Sequence, residues 1–385
     1  MKVAGTWLMA APTQALCAAL TGAGHQALFV GGCVRNALLG VPVGDIDIAT
    51  DATPETVTNL ANSAGFRVVP TGIDHGTVTV IAGHVPHEVT TFRRDVETDG
   101  RRAVVAFSRD VAEDAARRDF TMNALYAQAD GTVIDPLGGL PDLLARQVRF
   151  VGDAETRIRE DYLRILRFFR FHAHYGDPAQ GIDAEGLAAC AALSAGLETL
   201  SGERTGAEIR KLLAAPDPAP SVAAMAQAGI LAHVLPGADP RALAPLVHLE
   251  TLQAEPPRWQ RRLAVLGGAT AGLRLSRAEA AAVATIRDKT GSPHSPAALA
   301  FLHGAQIASD CLLARSALLE SPLPEGWRDE VARGAQASFP LRASDLSPLS
   351  GPALGERLKA LKTQWIQADL RPDRATLLSM PPNPA

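Results

Sequence analysis

The sequence predicts an α+β fold, with a mixed-sheet head of strands and helices followed by an all-helical remainder. Two observations carry that reading. Between residues 27 and 135 short β-rich runs recur, "ALFVGG", "DIDIAT", "FRVVPTG", "GTVTVIAG", "HEVTTFRRD" and "TVIDPLGG", and after about Leu140 they nearly vanish. From there on, Ala-, Leu- and Arg-rich segments of helical periodicity are separated by breaks such as "GDPAQG", "APDPAPS", "PGADP" and "SPLPEG". The breaks near 140 and 216 are the candidate boundaries, giving regions 1–140, 141–215 and 216–385. No internal repeat of fixed period is visible, and the closing "LSMPPNPA" reads as a frayed tail.

Taken in order, "WLMAAPTQALCAAL" reads as an ordinary helix. Pro12, Thr13 and Gln14 interrupt its apolar run and Lys2 is a thin basic region, which argues against a secretory signal. "ALFV" is a strand that enters the Gly31-Gly32 turn, and "CVRNALLG" has helical content. "TVTVI", "AGHVP" and "HEVTTF" form a hairpin, with alternating β-branched residues around a Gly/Pro turn. The balance of 47% hydrophobic to 20% charged residues excludes wholesale disorder, and no apolar run is long enough to span a bilayer. A net charge of -4 excludes an electropositive body that coats nucleic acid, so any nucleic-acid contact must be local. Cys17, Cys33, Cys190 and Cys311 have no paired or metal-type spacing, which predicts structural, reduced thiols in a cytoplasm.

Chemistry concentrates in "ALFVGGCVRNALLGVPVGDIDIAT", residues 27–50. Asp45 and Asp47 bracket Ile46, so on a strand both carboxylates project from one face. Like charges that close call for a cation, and hard oxygen ligands with room for phosphates suit Mg²⁺. The competing reading is the polar outer face of an edge strand. Upstream, Gly32 at a helix N-terminus and the nearby Arg35 make an anion site, with twelve residues separating Gly32 from Asp45. The dinucleotide alternative is weaker, because "GGCVRN" lacks G-x-G-x-x-G.

This pairing of phosphate cradle and carboxylates resembles the nucleotidyltransferase superfamily that includes DNA polymerase beta. "RRDFTMNALY" at 117–126, "DPLGGLPDL" at 135–143, "EDYLRILRFFRF" at 160–171 and "ERTGAEIRKLL" at 203–213 then occur in the order seen in class II tRNA nucleotidyltransferases and their poly(A) polymerase relatives. The resemblance covers roughly residues 20–215. It implies a polymerase beta-like catalytic head (1–140), a helical neck for base recognition (141–215), and a helical body and tail that bind tRNA (216–385). It also implies an enzyme that adds CCA to tRNA 3′ ends from CTP and ATP without a template, with no membrane role and no protein partner.

The resemblance assigns Asp45 and Asp47 to the metal, and Glu88 is the candidate third carboxylate, with an outward-facing strand glutamate as the alternative. Arg118 and Asp119 would contact ribose and phosphate; the alternative for Asp119 is a helix N-cap, with Thr121 and Asn123 merely solvated. Asp161 and Arg164, three apart and so on one helix face, would read the base edge: a carboxylate accepts from the exocyclic amine of C or A, and a guanidinium donates to the adjacent ring acceptors. The bland reading is an i, i+3 salt bridge. Arg167 and Arg170, on successive turns, would hold base or phosphates. "ERTGAEIRKLL", with Glu203, Arg204 and Glu208, reads as a brace rather than chemistry.

The charged, glycine-hinged segment between Arg93 and Arg117 matches the family's flexible loop associated with terminal A addition. Asn36 stands where many relatives carry Asp, and Ala103 where proline is frequent. "RWQRRLAV" at 258–265 is a weak RNA contact, since Arg261 and Arg262 more often decorate a helix surface. The alternatives are a poly(A) polymerase, which the short uncharged tail disfavours, a CC- or A-specialised enzyme, and a noncatalytic RNA-binding protein. No His-Asp dyad of the phosphohydrolase type follows, so no second hydrolytic activity is expected.

Overall fold

The computed structural model describes residues 1–73, 76–99 and 102–381, with only the backbone described for 95–99 and 102–105. The chain divides into two compact units, Met1–Glu208 with Ala224–His233, and Ile209–Ala223 with Val234–Ala385.

In the first unit, a seven-stranded sheet is built from β1 (Leu28–Val30), β2 (Ile46–Thr50), β3 (Arg67–Gly72), β4 (Thr77–Ala82), β5 (Val85–Thr91), β8 (Tyr126–Ala127) and β9 (Val133–Ile134), in the order β3-β4-β5-β2-β1-β8-β9. Only β2 and β5 run parallel; the other neighbours are antiparallel. The expected hairpin is present: Ala82 pairs with Val85, and Gly83 and His84 both take positive φ (58° and 67°), the signature of a two-residue turn matched to strand twist. A separate two-stranded sheet joins β6 (Arg93–Asp99) to β7 (Arg102–Phe107). The hinge glycine of the segment expected to be flexible, Gly100, lies outside the described residues, as does Arg101. The Ala103 side chain does too.

Helices α1 (Thr6–Met9), α2 (Ala11–Thr21), α3 (Gly32–Leu39) and α4 (Pro54–Ser63) accompany the sheet. Along β2 the alternation is strict at the site: Ile46 and Ile48 are buried while Asp47 faces the other way. On β5 His87 and Val89 are buried beside them, with His87 Nε2 and Thr13 Oγ1 of α2 hydrogen-bonded at 2.9 Å.

Beyond α5 (Val111–Ala116) and α6 (Leu140–Leu144) come α7 (Ala154–Glu160), α8 (Leu163–Tyr175), α9 (Ala184–Ala192) and α10 (Gly202–Leu213). Phe168 and Phe171 pack against Phe120 and Phe150 with ring centroids 4.8–6.2 Å apart, and Phe120 bridges Phe150 through the backbone. Each fully buried ring stabilises by about 1.5–3 kcal/mol, so this cluster fixes α8 against the segment that carries Asp119.

The second unit is helical among its described residues. Its core contains an ion network in place of a purely apolar interior. Glu250 accepts from Arg261 (2.8 and 2.6 Å) and from Arg262 (2.9 and 2.7 Å), and Asp310 lies 3.1 Å from both Arg258 and Arg261. Arg262 also donates to the carbonyl of Leu213 (2.8 Å), one that the C-terminus of α10 leaves unpaired, and to those of Ala215 and Pro216 (3.0 Å) in the segment after it. Arg261 and Arg262 are therefore interior residues at 0% and 1% exposure, which corrects the expectation of surface decoration and removes them as RNA contacts.

Candidate nucleotidyl-transfer site

The Gly31-Gly32 turn sits where β1 ends and α3 begins. Gly31 has φ 67° and ψ -119°, a conformation closed to other residues, and it caps α3 with no side-chain hydrogen bond. A side chain there would also meet Arg118 Nη1 at 3.5 Å and Asn123 Oδ1 at 3.6 Å. The bare turn, the start of α3 and Arg118 thus border one space. Gly32, the first helical residue, has no atom nearer than Arg35 Nη2 (3.8 Å) at its missing side chain.

Asp47 lies in register with Glu88 on the neighbouring parallel strand, so both project from the same sheet face, opposite the buried Ile46–His87 pair. Asp45 precedes the strand and is exposed. Burial, together with the facing Glu88 and Asp45, pushes the Asp47 carboxyl up to about 6 against the pull of Arg118 and Arg35. Among the described residues, no three His, Cys, Asp or Glu side chains stand close enough together to hold an ion as they are. The donor set nonetheless fits a hard divalent cation: Asp47 and Glu88 share a sheet face, Asp45 stands just before the strand, and the Asp47 carboxylate is destabilised by the other two, which a cation would relieve.

Arg118 is fixed from below. Asp114, 1% exposed on its side chain, accepts from Arg118 Nη2 (3.0 Å), Arg117 Nε and Nη2 (2.8 and 2.6 Å) and the Tyr126 hydroxyl (2.7 Å). Burial opposes ionisation of Asp114, but Arg118, Arg117 and Tyr126 outweigh it and hold the carboxyl below its usual range. Asp119 is buried and is not a helix N-cap. Its Oδ1 accepts from Phe120 N (2.9 Å) and Asn123 Nδ2 (3.2 Å), while Oδ2 takes Arg167 Nε (2.8 Å) and Nη2. The turn Thr121–Asn123 begins after it, capped at Phe120. Thr121 and Asn123 are not merely solvated: Thr121 donates to Asp142 (2.7 Å), and Asn123 Oδ1 accepts from Arg35 Nη1 (2.8 Å).

"EDYLRILRFFRF" is two helices rather than one. Asp161 ends α7 in an extended conformation (φ -158°, ψ 105°), and its Oδ1 accepts from Leu163 N (3.1 Å) where α8 starts. Asp161 lies outside α8, so it does not share a helix face with Arg164 as expected, and the alternative of an i, i+3 salt bridge between them is not what forms either. Asp161 pairs with Arg204 at 2.6 Å, and Arg164 binds Glu160 and the carbonyl of Arg157 (2.8 Å). The reason is local: the break between α7 and α8 turns the carboxylate towards α10. Arg170 pairs with Glu208 at 2.5 Å, so the Arg204 and Glu208 of the expected brace hold two of the candidate base-reading residues.

Sequence reasoning missed Asp114, Tyr126 and Tyr175. Asp114 stands four before Arg118, a spacing that signals a helix-face ion pair. Tyr175 had no such signal.

With this geometry, likeness to known proteins has specific content. Residues 27–149 match the family described as Poly A polymerase head domain, and residues 181–241 the one described as Probable RNA and SrmB- binding site of polymerase A. The human protein named CCA tRNA nucleotidyltransferase 1, mitochondrial, is 46% identical over 190 residues, 49% of this chain and 44% of that protein. The CCA-adding enzyme of Streptococcus pyogenes serotype M2 is 45% identical over 205 residues, 53% of this chain and 49% of that one. The matched part thus spans about half the length of these curated relatives. A crystal structure of the Bacillus stearothermophilus CCA-adding enzyme in complex with CTP superposes over 93% of each chain with TM-score 0.73 at 30% identity. The Thermotoga maritima CCA-adding enzyme complexed with tRNA, at 18% identity and TM-score 0.67, shares the fold. Since the Bacillus likeness holds across nearly both whole chains and the head-domain match falls on the Gly-Gly turn and its carboxylates, the chain belongs to the family of CCA-adding enzymes and poly(A) polymerases.

Proposed function

We propose that this chain adds CCA to tRNA 3′ ends, using CTP and ATP without a nucleic-acid template. One observation carries the proposal: a carboxylate cluster (Asp47 and Glu88 on one sheet face, with Asp45 just before the strand) and an arginine-lined turn for phosphate (Gly31, Gly32, Arg118) lie in the same unit as Asp161 and Arg164. The likeness to named CCA-adding enzymes supports it.

Asp45 and Asp47, with Glu88 beside them, would hold Mg²⁺. When bound, the ion would acidify the attacking 3′-hydroxyl and stabilise charge on the leaving oxygens. The chain's own residues do the rest. The Gly31-Gly32 turn and the start of α3 receive the phosphates, helped by Arg118 and Arg35. Asp119 and Arg167 orient one another where the sugar would lie, and Arg170 borders them.

Base choice falls to Asp161 and Arg164. Asp161, held by Arg204 through one oxygen, offers acceptor capacity to an exocyclic amine. Arg164 offers donors to the ring. Uracil and guanine present a carbonyl where the amine should be, and a polar site left unpaired in this way rejects a wrong base by roughly 10⁴-fold or more.

The assignment of residues 1–140 to the head, 141–215 to the neck and 216–385 to a tRNA-binding body and tail is part of the same proposal. No helix among the described residues is long and apolar enough to cross a membrane. All four cysteines are buried and unpaired, which supports a reducing, cytoplasmic setting. The test is Asp45→Ala and Asp47→Ala: each should abolish Mg²⁺-dependent addition while tRNA still binds. Retained addition in both variants would overturn the assignment.

A further inference from the structure

Five arginines border the site, and four of them meet a carboxylate. Arg118 pairs with Asp114, Arg164 with Glu160, Arg167 with Asp119 and Arg170 with Glu208. Arg35 is the exception. It is 6% exposed, and every acceptor it meets among the described residues is neutral. Nε and Nη2 donate to Asn36 Oδ1 (3.2 and 2.9 Å), Nη1 to Asn123 Oδ1 (2.8 Å), and Nη2 to the Tyr175 hydroxyl (2.8 Å). The guanidinium carbon lies 4.0 Å over the Tyr175 ring and 5.1 Å over that of Phe171.

The charge on Arg35 thus has no counter-ion in contact. Asp119 and Asp47 act on it only from farther away, Asp119 being engaged by Arg167 and Asp47 facing Glu88, and Arg167 and Arg170 add like charge. A buried guanidinium remains protonated, so this arrangement is costly until an anion arrives. Asn36 is the residue that keeps it so. Its Nδ2 donates to Pro42 O (2.9 Å), which orients the amide with its oxygen towards Arg35 and ties down the loop leading to Asp45. A carboxylate at 36 would keep the acceptor, lose the donor, and supply the missing counter-ion.

We propose that Asn36 is a positioning residue that orients Arg35 while leaving its charge uncompensated, so that the phosphates of the incoming nucleotide neutralise it. This rests on the nucleotide-binding reading above and adds to it a determinant of phosphate affinity.

The experiment measures binding of CTP and of inorganic tripolyphosphate to the full chain by calorimetry, at low and moderate salt, for wild type, Asn36→Asp and Asn36→Ala. Thermal melts confirm folding, and Asn36→Ser replaces the alanine variant should that one fail to fold. Asn36→Asp should bind both ligands about tenfold more weakly, a difference of about 1.4 kcal/mol, with a shallower salt dependence than wild type. The neutral variant should lose less. A merely structural role reverses that order, because aspartate keeps the hydrogen bond to Arg35 that alanine removes. Asn36→Asp binding as tightly as the neutral variant, or more tightly, overturns the inference alone. A wild-type chain that binds neither ligand overturns the nucleotide-binding reading beneath it.

Discussion

Asp114→Asn removes the charge beneath Arg118, the proposed phosphate contact, while keeping the side chain's shape. In the wild type one buried carboxylate serves two guanidiniums and a phenol at 2.6–3.0 Å. Asparagine leaves both cations without a counter-charge and turns an amide donor towards other donors. Breaking a buried pair costs about 3–5 kcal/mol. Arg117 and Arg118 keep 15% and 17% side-chain exposure, so water recovers part of the loss and about 3 kcal/mol is the fitting figure. For a unit of this size that lowers the melting temperature by about 6–12 °C. Released from Asp114, Arg118 loses its place beside Gly31, and kcat/KM for nucleotide addition should fall by about tenfold, or about 1.4 kcal/mol. The pH dependence has a definite sign. The folded-state pKa of Asp114 lies below its unfolded value, so its stabilisation is complete above the unfolded pKa of about 3.9 and disappears as pH falls through the folded value. Thermal melts of wild type and variant should therefore differ near neutrality and converge in acid. Equal melting temperatures at pH 7 with unchanged kcat/KM would refute the reasoning.

Three further outcomes follow from the geometry. Asp161→Ala and Arg164→Ala should admit UTP or depress CTP use, read as kcat/KM for each nucleotide, and unaltered selectivity would remove them from base recognition. Glu250→Gln strips the counter-charge from two buried guanidiniums and should destabilise the second unit by about 3–5 kcal/mol in denaturant melts. With the chain still folded, its tRNA affinity should match wild type, because Arg261 and Arg262 are interior. Affinity for tRNA should weaken markedly between low and moderate salt, since a chain of net charge -4 must bind phosphates through a limited basic strip; a flat response would contradict this.

Much of this was legible in the sequence because it is local. Alternation of β-branched residues around Gly83 and His84 specified the hairpin, and the Gly-Gly turn followed by helical residues specified the start of α3. Long-range pairings were not legible. That Glu88 falls opposite Asp47 depends on the register of two strands separated by a whole crossover. Helical propensity runs on through "EDYLRILRFF", so nothing local announced that Asp161 would leave the helix and bind Arg204, 43 residues away. Arg261 and Arg262 look like surface residues until Asp310, 49 residues on from Arg261, and the carbonyl of Leu213, 49 residues before Arg262, are placed beside them. Asn36 resisted explanation from sequence because its two roles need the fold of the loop through Pro42 and the guanidinium of Arg35 together.

The most direct test of the central claim, that side chains replace a template in choosing C and A, is nucleotide addition to tRNA ending before CCA, with each NTP supplied singly and in pairs. CTP alone should give CC, CTP with ATP should give CCA, and UTP or GTP should give no addition. A long A tail from ATP alone, or incorporation of UTP as readily as CTP, would contradict it.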